Sequence, residues 1–425
     1  MKQSKIGMIG CGMISEVYAK NITERFGDLQ LVACADLRME AAQARAEQFG
    51  AKAMTVDELL ADPDIDIVLN LTIPDQHAAV SMAALKAGKN VYSEKPLAIH
   101  MQDAKELVEY AKAHNLLLGT APDTFMGGGL QTCRQLLDAD TIGTPIAAQA
   151  FMMSRGPEAF HPNPKFFYEE GAGPVLDWGP YYITALVSLL GPVKSVVGRG
   201  KITYPERTAK SPRCPYQGQQ FPVEVPTYVT GILTMESGAL VNLTISFDMQ
   251  FAYWDSDMPY LTIYGSKGSL NVPDMNKFEG PVTVRRGDAP AEEVPVSSPY
   301  TENCRGLGLA DMAHALQTGE AYRPSAELSL HVTEVMLGLL ESVESGKEYQ
   351  LTTTCARPAP LDAAAAQALQ QITEEGTTHD RPQLPAGKTK ICHAKAPQHD
   401  LGAGGPVARP GAELQRRNQH LHPQY

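Results

Sequence analysis

Three absences in the sequence narrow what this chain can be. Its seven cysteines occur singly, without the C-x-x-C spacing that indicates a zinc site or a disulfide framework. No window approaches the roughly 18 consecutive apolar residues of a membrane-spanning helix. A net charge of -12 disfavours nucleic acid or an anionic membrane as a partner. The N-terminus enters a strand directly, without a secretory signal, so we expect a cytoplasmic protein with no metal site.

In the first third of the chain, short apolar runs alternate with amphipathic segments. Runs that are apolar on both faces and end in turn residues are typical of buried parallel strands, and the segments between them have helical spacing. This alternation predicts an α/β fold with a doubly wound parallel sheet of the Rossmann type. The predicted strands are KIGMIG, LQLVACAD, DIVLNLT, KNVYSE and NLLLGT.

After about residue 142 the runs become longer, richer in β-branched residues and partly alternating, as in TYVTGILTM and ALVNLTISFDM. They predict a second domain of α+β type with an open mixed or antiparallel sheet. Beyond residue 361 the composition is rich in Gly, Pro, His and Gln, which is typical of a disordered extension. The predicted organisation is therefore 1–122, 123–361 and 362–425.

A glycine-rich turn follows the first predicted strand. Gly10-Cys11-Gly12-Met13-Ile14-Ser15 matches the dinucleotide-binding pattern G-x-G-x-x-G except for serine at the third glycine. Gly10 serves the tight turn, and Gly12 lets the backbone approach a pyrophosphate at the helix N-terminus. A tight turn without a ligand is the alternative interpretation.

Asp36 ends the second predicted strand, where an acid can accept a hydrogen bond from a ribose 2′-OH, so the predicted cofactor is NAD. Arg38 leaves NADP possible, because an arginine there could bind a 2′-phosphate. The other predicted cofactor contacts are Met13, Ile14, Thr72, Pro74, His77 and Glu94, which lie where ligands bind in open α/β sheets.

Two further segments carry ionisable groups suited to chemistry. Lys95 follows the predicted strand KNVYSE, between Glu94 and Pro96, so its amine emerges at the same edge of the sheet and is expected to contact both cofactor and substrate. Asp177 and Tyr181 are four residues apart on an apolar helix and therefore share a face. The alternatives are an ordinary salt bridge for Lys95 and a helix-capping role for Asp177.

The stretches GCGMIS, AGKNVYSEKPL and GAGPVLDWGPYYITALVSLLGPV together resemble the glucose-fructose oxidoreductase, inositol dehydrogenase and rhizopine-catabolism family (Gfo/Idh/MocA) of NAD(P)-dependent oxidoreductases. The resemblance spans about Lys5 to Leu361. It implies a Rossmann domain followed by an α+β domain whose open sheet often mediates oligomerisation. It also implies that Lys95 is the lysine of the family's E-K-P motif and that Asp177 is its helix acid.

Where inositol dehydrogenases have a histidine four residues after the acid, this sequence has Tyr181, as in the glucose-fructose oxidoreductase branch. A Lys95–Tyr181 pair would remove the hydroxyl proton, because a nearby ammonium favours the phenolate. Lys95 itself and His161 are the alternative bases. The predicted substrate contacts are Asp123, Arg155, His161, Asn163 and Tyr168.

These residues predict an NAD(P)-dependent oxidoreductase that transfers hydride between a secondary alcohol of a sugar, inositol or glycoside and the nicotinamide ring. Two alternatives remain at this point: an NAD-dependent glycoside hydrolase that oxidises its substrate transiently, and a non-catalytic dinucleotide-binding protein. The expected partners are a small sugar or polyol and further copies of the chain, as a dimer or tetramer.

Overall fold

The first third of the chain forms a parallel sheet with helices in its crossover connections. In the computed structural model, residues 3–250 and 259–370 are described. The strands are β1 (Ser4–Ile9), β2 (Leu29–Ala35), β3 (Lys52–Met54), β4 (Ile67–Asn70), β5 (Asn90–Ser93) and β6 (Leu118–Thr120). The helices are α1 (Met13–Glu24), α2 (Met39–Phe49), α3 (Val56–Ala61), α4 (His77–Lys86) and α5 (Met101–Ala113).

The six strands lie in the order β3-β2-β1-β4-β5-β6 and are all parallel. The strand order reverses between β1 and β4, which is the crevice where open α/β sheets bind ligands. The five predicted strands and the Rossmann topology are confirmed. The sequence did not predict β3, because its three residues lack the apolar run of a buried strand and are mostly exposed.

The second sheet contains nine strands and is mixed, as predicted. Its order is β16-β15-β14-β13-β7-β12-β11-β8-β17, with β7 and β12 parallel and the other pairs antiparallel. The strands are β7 (Pro145–Met153), β8 (Val193–Lys201), β9 (Glu206–Thr208), β10 (Gln220–Pro222), β11 (Tyr228–Met235), β12 (Leu240–Ser246), β13 (Leu261–Gly265), β14 (Gly268–Val272), β15 (Val282–Arg286), β16 (Glu292–Val294) and β17 (Tyr349–Gln350). Strands β9 and β10 form a separate pair.

The remaining helices are α6 (Gly128–Asp138), α7 (Gly173–Leu190), α8 (Leu307–Thr318), α9 (Ala326–Ser345) and α10 (Ala363–Gln370). Helices α6, α7 and α9 pack against one face of this sheet, whereas α8 contacts β6 and α10 contacts α8. Helix α7 is buried along most of its length, and with α9 it covers strands β8, β11 and β12. On the opposite face Ile232, Leu240 and Tyr264 are exposed. None of the helices within the described ranges is both long and apolar enough to cross a membrane.

Helix α10 lies within the segment that was expected to be disordered. Its Ala366 and Leu369 are buried, and the Tyr300 hydroxyl donates to the Ala366 carbonyl at 2.9 Å. The expectation of disorder is therefore wrong for residues 363–370. Their alanine-rich sequence favours a helix, and this helix packs against the body of the protein. The rest of the predicted extension lies outside the described residues. The boundary predicted between residues 122 and 123 stays a prediction.

Candidate active site

The glycine-rich turn joins β1 to α1 at the switch point of the first sheet. The Gly10 N–H donates to the Ala35 carbonyl at 2.8 Å. Gly10 has φ of +97°, and a Cβ there would lie 2.5 Å from the Leu71 carbonyl oxygen, so only glycine fits. A Cβ at Gly12 would meet nothing within 4 Å. The space over the first turn of α1 is therefore open, as a phosphate-binding turn requires.

Serine at the third glycine position is accommodated within the helix. Ser15 is fully buried, and its Oγ donates to the Gly12 carbonyl at 2.6 Å. The hydroxyl has a partner inside the turn, so its burial leaves no polar group unsatisfied. The departure from the glycine pattern therefore does not disturb the turn.

Asp36 lies directly against this turn. Its Oδ2 accepts from the Cys11 N–H at 2.8 Å, and its Oδ1 accepts from the Arg38 N–H at 2.9 Å. The Arg38 side chain is exposed, with Nε 3.8 Å from Oδ1. The two residues predicted to choose between NAD and NADP are thus adjacent, and the backbone fixes the orientation of the acid.

Exposed apolar side chains surround the turn. Met13, Leu37 and Ile73 are 62%, 97% and 59% exposed, respectively, and all three follow or adjoin carboxyl ends of strands. Exposed apolar groups at a binding crevice suit the flat rings of a dinucleotide. Ile14 is instead partly buried against the core. The open turn, the oriented acid and this apolar rim fit NAD.

His77 differs from its prediction as a cofactor contact. It is buried, with Nδ1 2.7 Å from the Pro96 carbonyl and Nε2 3.0 Å from the Thr72 carbonyl. Burial lowers the pKa of the imidazole, partly offset by these two carbonyl groups. Because both ring nitrogens face the protein, His77 ties the Thr72 loop to the Lys95 loop rather than reaching outward. Thr72 Oγ1 in turn donates to Asn70 Oδ1 at 2.6 Å.

Lys95, Asp177 and Tyr181 come together, although 82 residues separate the lysine from the acid in the sequence. The Lys95 Nζ donates to the Asp177 Oδ1 at 3.0 Å and to the Asp177 carbonyl at 2.9 Å. It also lies 5.0 Å from the centre of the Tyr181 ring. The Lys95 and Asp177 side chains are 15% and 26% exposed, so water or a small ligand can reach the pair.

The charge of Lys95 is stabilised by its neighbours. Burial by itself would lower the pKa of the ammonium, but attraction to Asp177, and then to Tyr181 and Glu94, raises it above its ordinary value. Glu94 holds the loop: it accepts from the Tyr18 hydroxyl at 2.8 Å and from the Lys95 N–H at 3.1 Å. This arrangement therefore favours the charged form of Lys95.

The 154–168 segment forms one wall of a pocket around this pair. Phe166 and Phe167 line it together with Lys95, Asp177 and Pro74. Pro74 begins a short 3-10 turn after β4, so it reaches the pocket from the first sheet. The pocket therefore lies where the cofactor edge of the first sheet meets the start of α7.

His161 packs its ring on Phe167, with centroids 4.8 Å apart. Burial lowers the pKa of its imidazole, and the hydrogen bond with the Asn163 carbonyl and then attraction to Asp177 partly oppose this effect. Asn163 is exposed and its Oδ1 accepts from the Tyr216 hydroxyl at 2.6 Å. Arg155 is exposed at the start of the segment.

Two predicted substrate contacts lie in the core instead. Tyr168 is fully buried, and its hydroxyl donates to the buried Glu158 carboxylate. Asp123 is also buried, and its Oδ2 accepts from the N–H groups of Gly306 and Gly308 at 2.7 and 3.2 Å. Burial raises the pKa of Asp123 to about 6. Both side chains form hydrogen bonds with other groups of the protein, so neither is placed to bind a substrate.

Arg305 is a charged group near the site that the sequence did not indicate. Its Nη2 donates to Asn276 Oδ1 at 2.8 Å. Burial opposes its charge, but Tyr181 is the strongest of the groups that raise its pKa, ahead of Tyr18 and Asp123. It lies in the loop before α8, which carries no recognisable motif, so only the folded chain brings it near Tyr181.

Two family models match the chain. Residues 4–121 match the model described as an oxidoreductase family with an NAD-binding Rossmann fold, and residues 130–271 match the model of the GFO/IDH/MocA C-terminal domain. The two ranges span the first sheet and most strands of the second. They agree with the topology and with the turn geometry described above.

Named relatives match this chain over more residues than either family model does. Myo-inositol 2-dehydrogenase of Thermotoga maritima is 25% identical over 67% of this chain and 79% of its own length. Inositol 2-dehydrogenase 3 of Saccharopolyspora erythraea is 27% identical over 64% and 73%. Among solved structures, levoglucosan dehydrogenase in complex with NADH aligns over 83% of this chain and 100% of its own, with a TM-score of 0.71 and 18% identity. At that identity the structural likeness concerns the fold.

Proposed function

Because the chain belongs to the Gfo/Idh/MocA family of NAD-binding oxidoreductases, we propose that it transfers hydride between NAD and a secondary alcohol of a sugar, inositol or glycoside. The observation that carries this proposal is the Lys95–Asp177 pair beside Tyr181, at the cofactor edge of the first sheet. When bound, NAD supplies the hydride acceptor. The relatives named as inositol dehydrogenases support a polyol as the substrate class.

Lys95 acts as a hydrogen-bond donor to the reacting oxygen. Its ammonium keeps its charge because Asp177 binds it, so it stabilises negative charge that develops on that oxygen. A lysine whose cationic form is stabilised in this way is a poor proton acceptor. Of the three candidate bases, Lys95 therefore fits worst.

Tyr181 is the proposed proton acceptor, with His161 as the alternative. The Tyr181 ring centre lies 5.0 Å from the Lys95 ammonium, so its side chain is beside the group proposed to bind the reacting oxygen. His161 contacts Phe167 at the wall of the same pocket and would reach a substrate from the other side. Arg155 and Asn163 are the remaining candidates for hydroxyl contacts.

We also propose that a second copy of the chain covers the open face of the nine-stranded sheet. Support comes from Ile232, Leu240 and Tyr264, which are 44%, 50% and 41% exposed on one sheet, since exposed apolar groups on a sheet favour association. Sedimentation analysis tests this: Ile232→Lys should reduce the oligomer to monomers. The cytoplasmic location stays a prediction from the sequence.

The deciding experiment incubates the purified protein with NAD, and separately with NADP, across free sugars, inositols and chromogenic glycosides. Reduced nicotinamide and released aglycone are followed in the same sample. Accumulating reduced nicotinamide with a free sugar or inositol is the expected result. Aglycone release without net reduction would instead establish a glycoside hydrolase that oxidises transiently. Cofactor binding without turnover across the whole panel would indicate a binding protein.

A further inference from the structure

A groove with a volume of about 740 Å³ lies against the first turn of α7 and the second half of α9. Its floor is apolar and includes Val175, Val225, Leu337, Leu340 and Val343. The volume lies within the range of roughly 300–1,000 Å³ that is usual for small-molecule sites. The Lys95 pair does not line this groove, so the residues proposed for catalysis do not account for it.

The groove neighbours the pocket that holds Lys95 and Asp177. Three residues, Gly171, Ala172 and Leu176, line both spaces. The two spaces therefore border the same stretch of backbone at the start of α7. A ligand bound beside Lys95 would lie next to the groove.

Glycine allows close packing at this turn. Gly171 has φ of +79°, and a Cβ there would lie 2.8 Å from Ile99 Cδ1. Gly173 has φ of +90°, and its Cβ would lie 3.1 Å from Val225 Cγ2. Both backbone conformations disfavour any other residue, so the shape of this wall of the groove depends on glycine.

Carboxylates surround the apolar floor. Glu170, Glu341 and Glu344 line the groove, and within the described part of the chain none of them forms an ion pair. Their charge disfavours an anionic ligand, because like charges repel at short range. Sugar phosphates and nucleotide sugars therefore do not fit this groove, whereas a neutral apolar group does.

We propose that the groove binds the apolar aglycone of a glycoside whose sugar ring reacts at Lys95. The proposal rests on the oxidoreductase function proposed above and narrows its substrate class. A free hexose or an inositol would fill only the pocket beside Lys95. An aromatic aglycone attached to the ring would bury its apolar surface against Val225 and Leu340, and this burial would favour the larger substrate.

The test compares 4-nitrophenyl with methyl glycosides of glucose, galactose and mannose. Affinity for the complex with NADH is measured by calorimetry, and kcat/KM is measured with NAD. We expect the 4-nitrophenyl member of at least one pair to bind about ten-fold more tightly, as burial of one aromatic ring allows. Val225→Trp, which fills the groove, and Leu340→Asn, which makes its floor polar, should remove most of this preference.

Leu316→Asn is the matched control, because Leu316 is 40% exposed on α8 and does not line the groove. This variant should keep the preference. Oxidation of a free sugar or inositol, combined with equal affinity for both members of every glycoside pair, would overturn the groove proposal alone. A second outcome would overturn the proposed function and leave the groove proposal in place. In it, aryl glycosides bind more tightly and Val225→Trp removes this preference, but no substrate yields reduced nicotinamide.

Discussion

Two clusters of charge differ in how completely the protein encloses them. In the first, Lys95 pairs with Asp177, and both side chains keep some contact with the pocket. In the second, the Arg207 guanidinium binds Glu158 at 3.0 Å and also contacts Asp248, and these three side chains are 7%, 1% and 1% exposed. The first cluster lies at the cofactor edge, and the second lies behind the 154–168 segment.

The enclosed cluster has protein partners on most sides. Arg207 Nη2 donates to the Phe247 carbonyl at 3.1 Å, the Thr227 hydroxyl donates to Asp248 at 2.9 Å, and Tyr168 donates to Glu158. Such a network offsets its desolvation only when its hydrogen bonds are made, so it fixes structure. The Lys95–Asp177 pair keeps exposed atoms that can bind a substrate. The degree of enclosure therefore distinguishes a structural cluster from the cluster that is proposed for catalysis.

Replacing Lys95 with Ala should produce the largest effect. We expect turnover to fall about 10³-fold or more, because the variant loses the donor to the reacting oxygen. Binding of NADH, followed by fluorescence, should change little, and Lys86→Ala on the exposed side of α4 serves as the control. Near-normal turnover in the Lys95 variant would contradict the proposed role of the open cluster.

Replacing Arg207 with Met should break the enclosed cluster and destabilise the fold by about 3–5 kcal/mol, because Glu158 and Asp248 would remain buried without a counter-charge. Urea unfolding measures this loss. Arg285→Met, at an exposed position, should be close to neutral. If Arg207→Met instead unfolds at the same urea concentration as the wild type but loses turnover, the Arg207 cluster acts in catalysis. The contrast between the two clusters would then be wrong.

The open cluster could be predicted from the sequence and the enclosed one could not. Lys95 and Asp177 each follow a local pattern: a strand end before proline, and an acid near the start of an apolar helix. The groups that meet at Arg207 come from a loop, a short edge strand and a strand end, and no spacing links them. For this reason Tyr168 was predicted as a substrate contact, although its partner Glu158 places it in the core.

The Rossmann domain likewise has features that the sequence predicts and features that it does not. Its strands follow from apolar runs, and the turn at Gly10 follows from its glycines. The burial of His77 against two carbonyl groups depends on how the Thr72 and Pro96 loops approach each other, which no local pattern specifies. The pocket wall formed by Phe166 and Phe167 likewise requires the packing of the second domain.

Tyr181→Phe removes only a hydroxyl beside the open cluster, so we expect a smaller effect than for Lys95. Turnover should fall about 100-fold, at the lower end of the range for general acid–base catalysis, with unchanged urea unfolding. Tyr110→Phe on α5, away from both the pocket and the exposed sheet face, is the matched control. A greater loss in His161→Asn than in Tyr181→Phe would assign the base to His161.

Asp36→Ala should have the smallest effect and concerns the cofactor alone. Losing the acceptor for a ribose hydroxyl should weaken NAD binding about ten-fold, which corresponds to the lower end of the roughly 1.5–3 kcal/mol that one hydrogen bond to a charged group contributes. NADP binding should weaken less, because removing the carboxylate also removes its repulsion of a 2′-phosphate near Arg38. Calorimetry with both cofactors measures the difference. Asp36 also accepts from the Cys11 N–H, so an equal loss for NAD and NADP would mean that the variant disturbs the turn and that Asp36 does not select the cofactor.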